Sequence, residues 1–295
     1  MSFLSIAFQQ IVNGLQAGSI YALVALGYSM VYGIIMLLNF AHGDIIMVGA
    51  YVAWFAMANF SAHPIVAVLS AVLACTLLGM TIEKVAYKPL RGSPRISLLI
   101  TAIGISFLLE NLAQLVLGAG AKSVPAIFAV GSIRIAGADI SYATLITLLV
   151  TAVSMIALTA LVNRTKMGKA MRAVSEDTGA AQLMGININR TITYTFAIGS
   201  ALAGIASVLY CAAYPQATPT MGSMLGLKAF VAAVLGGIGS IPGAMIGGFA
   251  IGLAEALVSA IGLSVWKDGV VFAILIVVLI VKPTGIMGHP MQEKV

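Results

Sequence analysis

Apolar residues dominate this chain in long unbroken runs rather than in the alternating pattern of half-buried strands or the one-sided stripe of a surface helix. Cutting at charges, Gly/Pro clusters and polar turns leaves about eight hydrophobic segments, near 10–32, 36–59, 64–83, 96–118, 140–162, 191–213, 225–262 and 268–281. Most match the roughly 20 residues that a helix needs to cross a bilayer. The first 82 residues hold one formal charge, Asp44, and 37 residues from Thr191 to Leu227 hold none. Because the runs are apolar on every face, a membrane β-barrel is excluded and a polytopic all-α membrane protein is expected. The seventh segment is too long for one straight crossing. Gly236, Gly237, Ile238, Gly239, Ser240, Ile241, Pro242 and Gly243 interrupt it, so it is expected to break into two passes, one of them short or re-entrant, although a single kinked pass also fits.

Composition sharpens this. Of 295 residues 61% are apolar and 8% are charged, against about 25% charged in soluble domains. Soluble enzymes, nucleic-acid binders and disordered tails are excluded, because a net charge of +6 is spread too thinly to form a basic face. Its distribution reads instead as orientation. Lys84, Lys88, Arg91 and Arg95 fall in 83–95, Arg164, Lys166, Lys169, Arg172 and Arg190 in 163–190, and Lys282 and Lys294 in the tail. These three regions are expected to be cytoplasmic, which puts the N-terminus outside and the C-terminus in the cytoplasm. Residues 1–295 then form one transmembrane domain with the cytoplasmic loop 163–190 inside it. Cys75 and Cys211 lie in apolar runs and read as fillers rather than a disulfide. The first ten residues lack a basic n-region, so no removed signal peptide is expected.

In lipid, helices approach through small residues. Gly239, Gly243 and Gly247 recur every fourth position, as do Ser240, Ala244, Gly248 and Gly252. Two uses remain open: packing within the chain, or packing against the same strip of a partner subunit.

The loop 163–190 is longer than a turn requires. Ser175 before Glu176 and Asp177 places a capping hydroxyl and two acids at a helix start. Ala180, Ala181, Leu183 and Met184 continue it, and Gly185 closes it at the position after the C-cap. A helix of about ten residues is expected, with Leu183 and Met184 on a contact face. It either lies on lipid headgroups or docks a soluble partner.

The spacing Ala180, Ala181, three residues, Gly185 resembles the cytoplasmic loop by which ABC importer permeases grip their ATPase. Thr165 to Ile186 is similar to that loop in the branched-chain amino-acid permease family of the LivH type. A second match runs from Gly18, Ser19, Ile20, Tyr21, Ala22, Leu23 through Gly27, Tyr28, Val31, Tyr32, Gly33 to Asn39, Phe40, Ala41, His42, Gly43, Asp44. A third is Leu235 to Ala244. The resemblance spans the chain from end to end, with one departure: Gly179 stands where the general importer motif has Glu.

This resemblance implies a permease subunit of an ABC importer in the bacterial inner membrane, carrying branched-chain or similar apolar amino acids. Implied partners are a second permease subunit, homologous to this one, two ATP-binding subunits and an extracytoplasmic solute-binding protein, with membrane lipid around them and no nucleic acid. ATP would be used by those partner subunits, with no cofactor bound by this chain. In keeping with this, no phosphate-loop motif occurs, and the one Gly-Lys pair, Gly168 and Lys169, is followed by Ala170. His42, His63 and His289 are too scattered for a metal site and no catalytic cluster appears, so no enzyme is expected. The rival readings are a permease for another small neutral solute, such as a sugar, amide or urea derivative, and a stand-alone channel with a charged ring.

Ionisable groups at membrane depth cost about 2.5 to 3.5 kcal/mol each on insertion scales, so each calls for a reason. Asn39, His42, Asp44, Glu110 and Glu255 are the candidates for lining a translocation path. For Glu110 and Glu255 a hydrogen bond to a neighbouring helix is an equal reading. For His42 and Asp44 the equal reading is capping of the second helix at the cytoplasmic interface. Lys228 is expected to snorkel to the outer surface. The two interruptions, Leu38 to Gly43 and Gly236 to Gly243, form a pair of the kind that marks substrate sites, where half-helix N-termini face an anion and freed carbonyls a cation.

Overall fold

The structure, a computed structural model, describes residues 3–36, 39–60, 63–128, 130–135 and 137–288. Leu38, His289 and Lys294, all named above, lie outside them. In chain order the helices are α1 (Phe3–Ile35), α2 (His42–Phe60), α3 (Pro64–Ile82), α4 (Arg95–Leu117), α5 (Tyr142–Arg164), α6 (Lys166–Glu176), α7 (Thr178–Leu183), α8 (Ile188–Ala213), α9 (Met221–Gly236), α10 (Ile241–Ala260) and α11 (Lys267–Val281). Among the described residues eight helical spans are long and apolar enough to cross a membrane. This is an all-α polytopic membrane protein. The sixteen residues of α9 reach only about 24 Å at 1.5 Å per residue, less than a hydrocarbon core of about 30 Å.

The bundle is built around α1, which packs on α10 in antiparallel fashion with almost no side chain between them. Gly14 faces Leu253 and Ala256, Gly18 faces Gly248 and Phe249, and Gly33 faces Gly239. The four-residue strip of α10 is therefore consumed inside the chain: Gly248 and Gly252 press on α1, while Gly243 and Gly247 press on Gly236 and Ala232 of α9. A Cβ at Gly236 would enter the backbone of Gly243. Close approach takes the place of the hydrophobic effect, which supplies no drive between helices in lipid. By contrast α11 and α4 present mostly exposed apolar side chains, such as Ile276, Ile280, Ile100 and Phe107.

The seventh sequence segment resolves into two helices. Gly237 and Gly239 turn the chain with φ of 105° and 90°, values that residues with a Cβ rarely adopt. Ser240 caps α10 by accepting from the Gly243 amide at 3.2 Å, and Pro242 sits in its first turn, where no amide is needed. The descending tail completes the turn: the Ile286 and Met287 amides donate to the carbonyls of Leu235 and Gly236, each at 2.9 Å. Backbone groups that α9 leaves open at its end are thereby satisfied.

Two features had no counterpart in the apolar runs. The third segment does not stop at residue 83 but passes through a π-helical turn, Glu83–Tyr87, and a 3-10 turn, Lys88–Leu90. At the opposite end of the bundle, β1 (Lys122–Ser123) pairs with β4 (Gln216–Ala217), and β2 (Ser132–Ile135) forms a hairpin with β3 (Ala138–Ser141). The Gln9 amide of α1 holds that hairpin by donating to the Asp139 carbonyl and accepting from its N–H.

Candidate functional site: a cytoplasmic contact face and two buried polar clusters

The loop 163–190 forms two helices rather than one. Thr165 caps α6 by accepting from Gly168, and Met171 and Val174 pin this helix to the bundle. Ser175 is not a cap: it lies within α6 and donates to the Arg172 carbonyl at 2.8 Å. Glu176 ends α6, and Asp177 caps α7, accepting from Gly179 and Ala180 at 2.8 and 3.0 Å. The acid displaces the expected hydroxyl because only its β-region backbone aims the side chain at free amides. The ten-residue rod is thus a six-residue helix behind a kink. Gly185, with φ of 79°, follows its C-terminus. Ala180 is exposed and Ala181 buried, so Ala181 anchors α7 to the bundle rather than meeting a partner. Leu183 and Met184 are 91% and 82% exposed, an apolar tip on a charged surface.

A polar network ties this region to the interior. The Arg91 guanidinium bonds Asn189 at the start of α8 and pairs with Glu83 of the π turn; Thr193 of α8 donates to the other Glu83 oxygen at 2.7 Å. Partial burial holds Arg91 below its ordinary pKa, against the pull of Glu83. Four residues on, Tyr87 packs on Phe196 and donates to Asn39 at 2.8 Å. Both basic loops therefore share one end of the bundle, and Asn39 belongs to their network.

After α1 the chain folds back before α2 begins. Met36 takes a left-handed φ of 55°, which costs a residue with a Cβ about 1 kcal/mol. His42 is buried beside Gly27 and sits edge-on to Tyr28, ring centroids 4.9 Å apart. Gly27 lies eight residues before the end of α1, about 12 Å up the helix. His42 and Asp44 thus form the first turn of α2 and are buried within the protein. Asp44 accepts from Ser106 of α4 at 2.5 Å. Gly43 packs on the backbone of Gly222 at the start of α9, and the next residue there, Ser223, donates to Glu110 of α4. Asp44 and Glu110, 66 positions apart, so converge on two helix N-termini, whose partial positive charge favours carboxylates.

Glu255 lies apart from them. It accepts from Tyr21 at 2.8 Å and from Lys228 at 2.7 Å, and Lys228 also reaches Asp268 at 2.6 Å. Lys228 is 5% exposed, so the expected snorkelling is corrected: two carboxylates hold the ammonium inside, tying α9 to α10 and α11. Of the second interruption, Gly236, Gly237, Gly239, Pro242, Gly243 and Gly247 form a turn and a packing seam without an ionisable side chain. Sequence reading missed Ser106, Ser223, Tyr87, Glu83 and Arg91 as partners. Ser106 and Glu110 share a helical face at i, i+4, a spacing that was legible; the others meet only through tertiary contact.

The sequence profile of the family described as "Branched-chain amino acid transport system / permease component" matches residues 10–279. The high-affinity branched-chain amino acid transport system permease protein BraD of Pseudomonas aeruginosa is 44% identical over 97% of both chains. The corresponding protein LivH of Escherichia coli K12 is 46% identical over 97% of both. The ribose import permease protein RbsC of Escherichia coli K12 is 28% identical over 41% of this chain and 39% of its own.

Proposed function

The chain belongs to the permease-component family of branched-chain amino acid transport systems, and from that premise we propose that it is the membrane-spanning subunit through which an ABC importer moves branched-chain or similar apolar amino acids across the bacterial inner membrane. Full-length identity of 44–46% to relatives named for that transport carries the reading. Its partners are a second, homologous permease chain, two ATP-binding subunits that hydrolyse the nucleotide, and an extracytoplasmic solute-binding protein. The basic loops, which share one end, face the cytoplasm, the C-terminus with them, and the N-terminus lies outside.

In this reading the ATP-binding subunit grips the tip of α7 through Leu183 and Met184. Its movement enters through α7 and the start of α8, passes from Asn189 and Thr193 to Arg91 and Glu83, runs along the π turn to Tyr87, and arrives at Asn39, just ahead of α2. π turns inside helices are rare and are often found at functional sites. The two-state element is the start of α2, from Asn39 to Asp44. Each ATPase state has to favour one of its arrangements by different contacts, since a ligand shifts an equilibrium only by its differential affinity.

Replacing Leu183 and Met184 with Asp tests this. Neither is buried, so the variant should fold at normal yield. Leucine uptake into cells lacking the native gene should be lost, and the ATP-binding subunits should no longer co-purify in mild detergent. Normal uptake and co-purification would refute the docking surface, and wild-type protein that restores ribose but not leucine uptake would refute the solute.

A further inference from the structure

We propose that the Asp44–Glu110 cluster and the cavity beside it form a subsite that reads the ammonium group and the aliphatic side chain of the transported amino acid. The inference rests on the amino-acid reading above and adds the residues that would recognise it.

The charge balance comes first. Among the described residues every paired cation is committed elsewhere: Arg91 to Glu83, Arg134 to Asp139, and Lys228 to Glu255 and Asp268. Asp44 is fully buried and Glu110 is 8% exposed. Their partners are two neutral hydroxyls, Ser106 and Ser223. The nearest titratable ring, His42, turns toward Tyr28 and Gly27. The N-termini of α2 and α9 contribute about half a positive charge each, and among the described residues no full cation stands beside either acid. Moreover Asp44 Oδ1 has no hydrogen-bond partner. An alkylammonium ion supplies one charge and three donors to such a place.

An open, apolar cavity of about 350 Å³ begins one helical turn further along α2 and α4, lined by Met47, Val48, Tyr51, Leu109 and Ala113 and, at its exposed rim, by Phe55 and Leu112. Its size falls within the range of small-ligand sites, from about 300 Å³ upward. Met47 and Val48 follow Asp44 by three and four positions, and Ala113 follows Glu110 by three, so acids and cavity share one face of each helix. The single polar side chain lining it is Tyr51, 5% exposed, whose hydroxyl has no partner. An unpaired buried hydroxyl costs roughly 1 to 3 kcal/mol, a cost removed when a polar ligand atom meets it. Two acids one helical turn before the cavity, a hydroxyl on its wall and aliphatic sides match an aliphatic amine in charge and shape.

The experiment uses the assembled importer, with its ATP-binding and solute-binding subunits, in lipid vesicles. Ala113→Cys places a thiol on the cavity wall, and its labelling by a small neutral maleimide is timed with leucine, with 3-methylbutylamine, which keeps the ammonium and loses the carboxylate, or with 4-methylpentanoate, which does the reverse. Leucine and the amine should slow labelling at least threefold and the acid should not. Asp44→Asn with Glu110→Gln should abolish that protection and cut leucine uptake at least tenfold. Tyr51→Phe, which keeps the shape of the wall, should weaken protection and leave folded yield unchanged. Equal protection by the acid, absence of protection by any of the three, or full uptake by the double variant would overturn the subsite. Leucine uptake by the unmodified assembly is measured alongside: its absence would refute the transported solute, whereas normal uptake without protection would refute this site alone.

Discussion

The two interruptions look alike as sequence, each a short glycine-bearing stretch between apolar runs, and the molecule solves them in opposite ways. Between α9 and α10 the turn is made by backbone: Gly237 and Gly239 reverse it, Gly236 and Gly243 seal it, and Ile286 and Met287 fill the open carbonyls. At the start of α2 the contacts are made by side chains. Asn39, His42 and Asp44 each reach a different neighbour, and Met36 is held in a costly conformation. A joint closed by backbone is stiff and chemically silent. One closed by side chains depends on contacts that a single substitution removes. The first closes the bundle, and in the proposed coupling route the second is its working part.

The strongest way to break this contrast is to cut the wire into the working part. Arg91→Ala leaves Glu83 buried without its cation, which should cost about 3 kcal/mol, seen as a fall in the detergent melting temperature; Glu83→Gln in the same chain should recover most of it. At the silent joint, Gly236→Ala forces a methyl group into the Gly243 backbone and should cost about 2 kcal/mol, lowering the yield of folded protein without changing the ratio of solute moved to ATP hydrolysed. Tyr87→Phe removes the bond to Asn39. Its stability cost of about 1 kcal/mol should be accompanied by a drop in that same ratio, which is what separates the two joints. Ser240→Ala removes the α10 cap for about 1 kcal/mol or less, and the ratio should hold.

The smallest effect lies away from both joints. Arg134 holds Asp139 below the ordinary carboxylate pKa, so the contribution of this pair to the β2–β3 hairpin is present above the ordinary value and fades as pH falls through the depressed one. Protection of the hairpin amides, taken relative to the intrinsic exchange rate at each pH, should fall slightly between about pH 5 and pH 3, and Asp139→Asn should erase that change.

The helices were legible because lipid imposes length and apolarity on every crossing, and the α10 strip because close approach demands small residues at fixed spacing. Gly185 was legible as a stop, and the reversal within the seventh segment as a break. What could not be read was pairing across space. Lys228 looked like an outer-surface lysine because Glu255 and Asp268 stand 27 and 40 positions away. Ser175 looked like a cap because capping depends on one residue's backbone angles, and Asp177 two positions on has the right ones. Asp44 and Glu110 were each visible as costly acids, but their convergence depends on the first turn of α9, which carries no charge to announce it.

One feature of the silent joint bears on how the molecule is made. The amides that finish the end of α9 belong to residues 286 and 287, on the far side of α11 in the chain. The hairpin of α9 and α10 therefore stays unfinished at that end until α11 has crossed and carried its trailing strap back to it.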